Sequence, residues 1–258
     1  MALCDARQPI PNGSSNSSFQ PLADYRIFAA MEFVLVILVA AAVAFLIYLG
    51  HLAAKRRREE LRALARELDL SFDPSRDYDH DSNYREFEIF RRGRRRAAYN
   101  TLSGRFEIGE RNCWLKMGDY RYTIQHGKSS TTHNFSYLIL SLPYQRVPTL
   151  SIRREGVLDR IAGVVGFDDI DFESAEFSKR FYVKSSDKKF AYDVIHPRTM
   201  EFLLSSGCPV LQIENDRCCI YDSTGTKWDV SDFRKRLWWM SEFLKLWPDY
   251  LTEQLDRG

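Results

Sequence analysis

Phe33–Ala54 reads FVLVILVAAAVAFLIYLGHLAA, and the architecture is decided here. The run of 22 residues contains no Asp, Glu, Lys or Arg. As a helix rising 1.5 Å per residue it would cover roughly 33 Å, the hydrocarbon thickness of a bilayer. It is apolar on every face, whereas a soluble surface helix keeps a polar side. Tyr48 near one end suits an interfacial position. The reading is one transmembrane helix over residues 31–54.

The flanks orient it. Lys55, Arg56, Arg57 and Arg58 follow the run directly, while the N-terminal side carries only Arg7 and Arg26. Positive residues stay on the cytoplasmic side, so the C-terminal domain is expected in the cytoplasm. A run this long with a basic block behind it argues against a cleaved signal. Beyond setting topology, the four basic residues could each contribute about 1 kcal/mol of attraction to anionic headgroups. Residues 1–30 are polar, with glycosylation-type triplets at Asn12-Gly13-Ser14 and Asn16-Ser17-Ser18, and are expected to be disordered. Met31 stands just before the span, so initiation there would give a more compact chain.

After the span, Lys55–Leu70 places Leu61, Leu64, Ala65 and Leu68 at helical spacing. Arg58, Arg62 and Arg66 lie four apart on another face, with Glu59, Glu60 and Glu67 in reach for pairing. A juxtamembrane helix over 55–70 follows. Four apolar positions are too few for a coiled coil, so its stripe is expected to pack on its own domain. Asp73, Pro74, Asp77, Asp79 and Asp81 then read as a polar loop.

Residues 84–258 read as one globular α+β domain. Short β-like segments come first, at Glu86–Phe90, Arg94–Leu102, Trp114–Gln125, Phe135–Leu142 and Thr149–Arg153, with Gly93, Gly104, Gly118 and Gly127 as punctuation. They suggest an antiparallel sheet. A hairpin is expected from Arg180–Lys184 and Phe190–Ile195 around Ser185, Ser186 and Asp187. Pro197 starts a helix that Gly207 stops. Val210–Glu214 and Arg217–Tyr221 form two more strands around Asn215-Asp216. Val230–Trp247, with Phe233, Leu237, Met240, Leu244 and Trp247 on one stripe, predicts a long C-terminal amphipathic helix, capped by Asp229 or Ser231 and ended by Pro248.

Composition narrows the function classes. Charged residues make up 28% of the chain but nearly cancel, at net +2, so no nucleic-acid partner is expected. The cysteines, Cys4, Cys113, Cys208, Cys218 and Cys219, are odd in number and irregularly spaced, which fits a reducing compartment and not a disulfide framework.

Chemistry-bearing clusters are few. Arg91, Arg92, Arg94, Arg95 and Arg96 surround Gly93 and form the densest basic patch, expected at a hairpin tip and able to contact a phosphate or lipid headgroup. Asp168, Asp169, Asp171 and Glu173 could gather oxygens around a hard cation, though the spacing lacks the Gly and terminal Glu of an EF-hand loop. Cys208, Cys218 and Cys219 with His196 contain no C-x-x-C pair. His126 and His133 bracket a polar loop, and Gly127-Lys128-Ser129 fails as a P-loop because position 122 is Tyr. No catalytic residue, metal ligand or cofactor is expected from these patterns.

The order Phe177, Phe181, Val183, Ser185, Asp187, Phe190-Ala191 and Pro197 resembles a phrase found in a family of uncharacterised bacterial single-pass membrane-anchored proteins. The resemblance implies a bacterial context and a shared fold, and no activity. The expectation is therefore a membrane-anchored binding or scaffolding protein whose partners are the lipid bilayer and a protein. A metal-dependent hydrolase or transferase using the Asp168–Glu173 acids, and an anionic-lipid sensor using Arg91–Arg96, are the alternatives.

Overall fold

The computed structural model describes residues 21–109, 111–144, 146–156, 170–222 and 224–257, with backbone alone for 21–30. The two glycosylation-type triplets, Cys4, Asp168 and Asp169 lie outside the described residues. The chain divides into two compact units, Met1–Lys55 and Arg56–Gly258.

Helix α1 (Pro21–Glu67) contributes to both units and begins within the segment expected to be disordered. In the first unit its apolar side chains are exposed among the described residues: Phe33 is 71% exposed and Ile47 69%. This stretch is long and apolar enough to cross a membrane. It fits a membrane anchor, and an N-terminal signal sequence would have the same profile.

The second unit is α+β, built on one eight-stranded sheet in the order β1-β2-β3-β4-β8-β7-β5-β6, with antiparallel pairing throughout. The strands are β1 (Ser71–Asp77), β2 (Arg94–Ile108), β3 (Arg111–His126), β4 (Ser129–Ser141), β5 (Val147–Arg154), β6 (Phe181–Ser185), β7 (Val210–Asn215) and β8 (Arg217–Tyr221). The helices are α2 (His80–Asn83), α3 (Glu88–Arg91), α4 (Ala175–Arg180), α5 (Lys188–Val194), α6 (Pro197–Ser206), α7 (Val230–Lys245) and α8 (Asp249–Asp256).

Side chains alternate across a strand, so the sheet serves two cores. Leu138, Leu140 and Cys218 face the larger one, where they meet Leu61, Leu64 and Ala65 of α1 and the Phe233, Leu237, Met240 and Phe243 stripe of α7. Tyr137, Ile139 and Cys219 face the other, an aromatic layer closed by Phe87, Ile89 and Phe90. Burying each Leu, Ile, Phe or Met side chain among these is worth about 1.5–3 kcal/mol. Asp229 and Asp232 form a capping box at the start of α7. Gly207, at φ 70°, ends α6.

Four local expectations are corrected. Glu86–Phe90 is not a strand; α3 forms there because a helical turn brings Phe87 and Phe90 together, ring centroids 6.2 Å apart. The polar stretch after residue 70 is not loop throughout: β1 occupies an edge, where Pro74 and acidic side chains are tolerated. The second arm of the expected 180–195 hairpin is helix α5. Asp187 accepts hydrogen bonds from the Lys189 and Phe190 amides, and Phe190, Ala191 and Val194 bury one helical face. Finally, α7 is not the last element, since the eight-residue α8 follows Pro248.

Candidate functional site

Three places in the second unit concentrate charge or buried polarity, and the first was missed by sequence reasoning. β3 carries Asp119 between Gly118 and Tyr120, and its side chain is fully buried. Arg57, expected only to set topology, grips it with a two-pronged fork: Nε donates to Oδ2 at 2.7 Å and Nη2 to Oδ1 at 2.5 Å. Arg57 Nη1 donates to the Trp228 carbonyl at 2.9 Å. Asn100 Nδ2 and Ser136 Oγ donate to the same carboxylate at 3.0 and 2.8 Å. Burial alone would depress the Arg57 pKa, but the Asp119 hydrogen bonds and charge outweigh it and raise it.

Local backbone geometry builds this node. β2 bulges between Tyr99 and Leu102, with Asn100 at φ 52°, which turns the Asn100 amide toward Asp119. The bulge lies directly against Gly118, where a Cβ would come within 3.0 Å of the Asn100 carbonyl oxygen. Tyr99 flanks the node, and burial followed by the Asp119 charge pushes its hydroxyl up to about 12. The available sequence signal was a lone carboxylate inside an apolar strand, since Asp is depleted in strands.

The basic patch does not crown a hairpin. Gly93, at φ 62°, joins α3 to β2, and Arg94 pairs across to Thr123. Two of the five arginines are engaged. Arg92 lies 3.5 Å from Glu88, and Arg96 pairs with Asp81 at 2.7 Å while donating to the Arg91 carbonyl. Arg91, Arg94 and Arg95 are exposed and form no ion pair among the described residues. Of the basic block after the span, Arg56 pairs with Glu60 at 2.8 Å, and Arg58 is half-buried.

The third place is His80, at the start of α2. Its ring is wholly buried, with centroids 4.6 Å from Phe90 and 4.7 Å from both Tyr84 and Tyr137. Neither ring nitrogen has a hydrogen-bond partner among the described residues. Nδ1 lies 3.8 Å from Asp77, whose charge is taken up by Lys116 at 3.1 Å. Burial, and secondarily Lys116, holds the His80 pKa well below its ordinary value.

The remaining sequence candidates are dispersed. Cys218 and Cys219 point to opposite faces of the sheet, and Cys208 donates to the Pro209 carbonyl. Burial pushes all three thiols up, which leaves them protonated. His196 Nε2 sits 2.8 Å from the Leu246 carbonyl, tying α6 to the end of α7 beside an open groove of about 660 Å³. His133 stacks on Tyr122 at 5.0 Å. Asp171 is exposed, and Glu173 lines a second open groove of about 610 Å³. Among the described residues no three His, Cys, Asp or Glu side chains are grouped to hold a metal ion.

These features define a class: an α+β domain with a two-faced antiparallel sheet, carried behind an apolar N-terminal helix. No family model matches the chain, and no curated protein matches it. Among solved structures, the chain is similar to the crystal structure of the mycobacterial trehalose monomycolate transport factor A, TtfA. The TM-score is 0.51 at 12% identity, over 76% of this chain and 96% of that one. At that identity the likeness is one of fold.

Proposed function

We propose that this protein is a membrane-tethered, non-enzymatic adaptor whose domain lies on the cytoplasmic face and binds a protein of a lipid-transport assembly. The observation that carries the reading is the likeness to a transport factor over nearly the whole of that chain. The uncovered apolar run of α1 supports the tether. The basic block Lys55–Arg58 behind it supports the orientation. The domain's buried polar groups also support a binding role: Asp119 and Arg57 are spent on each other, and the buried thiols are protonated.

The test is affinity purification of the full chain from detergent-solubilised native membranes, beside measurement of envelope-lipid export after its depletion. Co-purification with a second membrane protein and reduced export are expected. Unchanged export would overturn the transport role. A tag at Gly258 that external protease removes from intact cells would overturn the orientation.

A second reading is favoured by the exposure of Arg91, Arg94 and Arg95, which suits anionic headgroups. Neutralising the three should weaken binding of the chain to anionic vesicles. Unchanged binding removes that reading.

A further inference from the structure

The hairpin of β3 and β4 reaches past its neighbours. The two strands pair from Trp114↔Ser141 to His126↔Ser129, but β2 begins only opposite Thr123, and β8 covers β4 only from Tyr137 to Ser141. Among the described residues, no strand pairs with the outer edge of β4 from Ser129 to Phe135.

The register shows which groups face outward. Gly127 and Lys128 form a two-residue turn, with Gly127 at φ 58°. Residues 129, 131, 133 and 135 therefore turn their backbone groups to β3, and Ser130, Thr132 and Asn134 turn an N–H and a C=O outward. The same parity appears where the edge ends, because the Ser136 amide donates outward to the Thr226 carbonyl.

An open edge is a template for another strand, and proteins ordinarily blunt it with charge, proline or a covering segment. The outer strands here are protected in those ways. β1 carries Asp73, Pro74, Arg76 and Asp77, and on β6 the Val183 carbonyl accepts from the Ile170 amide. The β4 edge has the sequence Ser-Ser-Thr-Thr-His-Asn-Phe, with no carboxylate, lysine, arginine or proline.

We infer that the β4 edge is a homodimerisation site, at which two copies of the chain join their sheets antiparallel about a two-fold axis at Thr132. The occupant is argued from self-complementarity. The axis sets Thr132 against its copy, Ser130 against Asn134 and Thr131 against His133. Every pair is free of like-charge repulsion, and hydroxyl pairs across strands are favourable. The three outward-facing residues of each copy close six backbone hydrogen bonds. The inference draws on the proposed tether in one respect only: confinement to a bilayer raises the effective concentration of the second copy.

The experiment uses the full chain in lipid vesicles, with flotation of the vesicles reporting the tether separately. Residues hydrogen-bonded across antiparallel strands have Cα atoms about 5.5 Å apart, within reach of a disulfide. Under mild oxidation, a Thr132→Cys chain should cross-link to its copy about tenfold faster than a Thr123→Cys chain, whose site faces the neighbouring strand inside the sheet. Thr132→Lys, which opposes two charges at the axis, should convert a wild-type dimer into a monomer whose far-UV circular dichroism spectrum is unchanged, with the melting temperature no longer dependent on protein density. Equal cross-linking at 132 and 123, a monomeric wild type at high density in vesicles, or capture of a foreign strand by monomeric wild type would each overturn the inference.

Discussion

Arg56 and Arg57 belong to one charge block in the sequence and are two different objects in the structure, and alanine substitutions separate them. Arg57 is 18% exposed and holds a carboxylate that is fully buried. Removing either partner strands the other without compensation, at a cost of about 3–5 kcal/mol. Asp119→Ala also leaves the Asn100 and Ser136 donors without their acceptor. Arg56 is 82% exposed and pairs one helical turn away with Glu60, an interaction worth about 0.3–0.5 kcal/mol. For a domain of this size, about 2–4 °C of melting temperature corresponds to 1 kcal/mol. Arg57→Ala and Asp119→Ala should each lower the melting temperature of the full chain by about 6–20 °C, while Arg56→Ala shifts it by about 1–2 °C. Far-UV circular dichroism in detergent reads both. The double variant Arg57→Met with Asp119→Leu should recover part of the loss, because no buried charge is left unpaired while the Asn100 and Ser136 donors still lack their acceptor. Each arginine removes the same charge from the flank of the span, so an effect on topology alone would treat them alike. Equal melting temperatures for Arg56→Ala and Arg57→Ala would refute the reasoning.

Three further outcomes follow from packing. His80 is held neutral when folded and takes a proton when unfolded, so its contribution is intact above its ordinary pKa of about 6.5 and is lost as pH falls below it. His80→Phe should flatten the melting profile between pH 7 and 5, with Asp77, Lys116, Tyr84, Tyr120 and Tyr137 as the ionisable neighbours left in place; an unchanged slope would contradict this. Gly118→Ala should cost about 1–3 kcal/mol in urea denaturation, since its Cβ meets the backbone of the β2 bulge at 3.0–3.2 Å. Asp187→Ala should cost about 1 kcal/mol through loss of the two amide bonds at the start of α5, while Asp187→Asn retains most of it.

What the sequence disclosed depended on whether a pattern was local. The apolar run, the Pro197–Ser206 helix with its Gly207 stop and the hairpin at Asn215 each carry their own periodicity and punctuation, and they stand where expected. Phe190, Tyr192 and Val194 alternate as well as any strand, yet Asp187 caps a helix there, and the cap is the sequence signal that outweighs the alternation. The polarity of the stretch from Asp73 to Asp81 describes an exposed edge strand as well as a loop. The Arg57–Asp119 node was illegible for another reason. Its members are 62 residues apart, and nothing at either position announces the partner.

The node and the free edge of β4 have one cause, and Ser136 is where they meet. Its hydroxyl donates to Asp119 and accepts from the Trp228 amide, while its own amide donates to Thr226. The chain leaving β8 therefore turns across β4 at this point to deliver the Trp228 carbonyl to Arg57, and cannot go on pairing toward Ser129. Capping the buried ion pair thus leaves the outer edge of β4, from Ser129 to Phe135, without a paired strand among the described residues. The dependence runs one way. Variants at Thr132 should abolish the dimer and leave the node intact, whereas Asp119→Ala should weaken both, because it releases the segment that defines where the edge begins. If Asp119→Ala destabilised the domain while cross-linking at 132 rose, the turn at 226–228 would be shielding the edge, and this account of how the two are linked would be wrong.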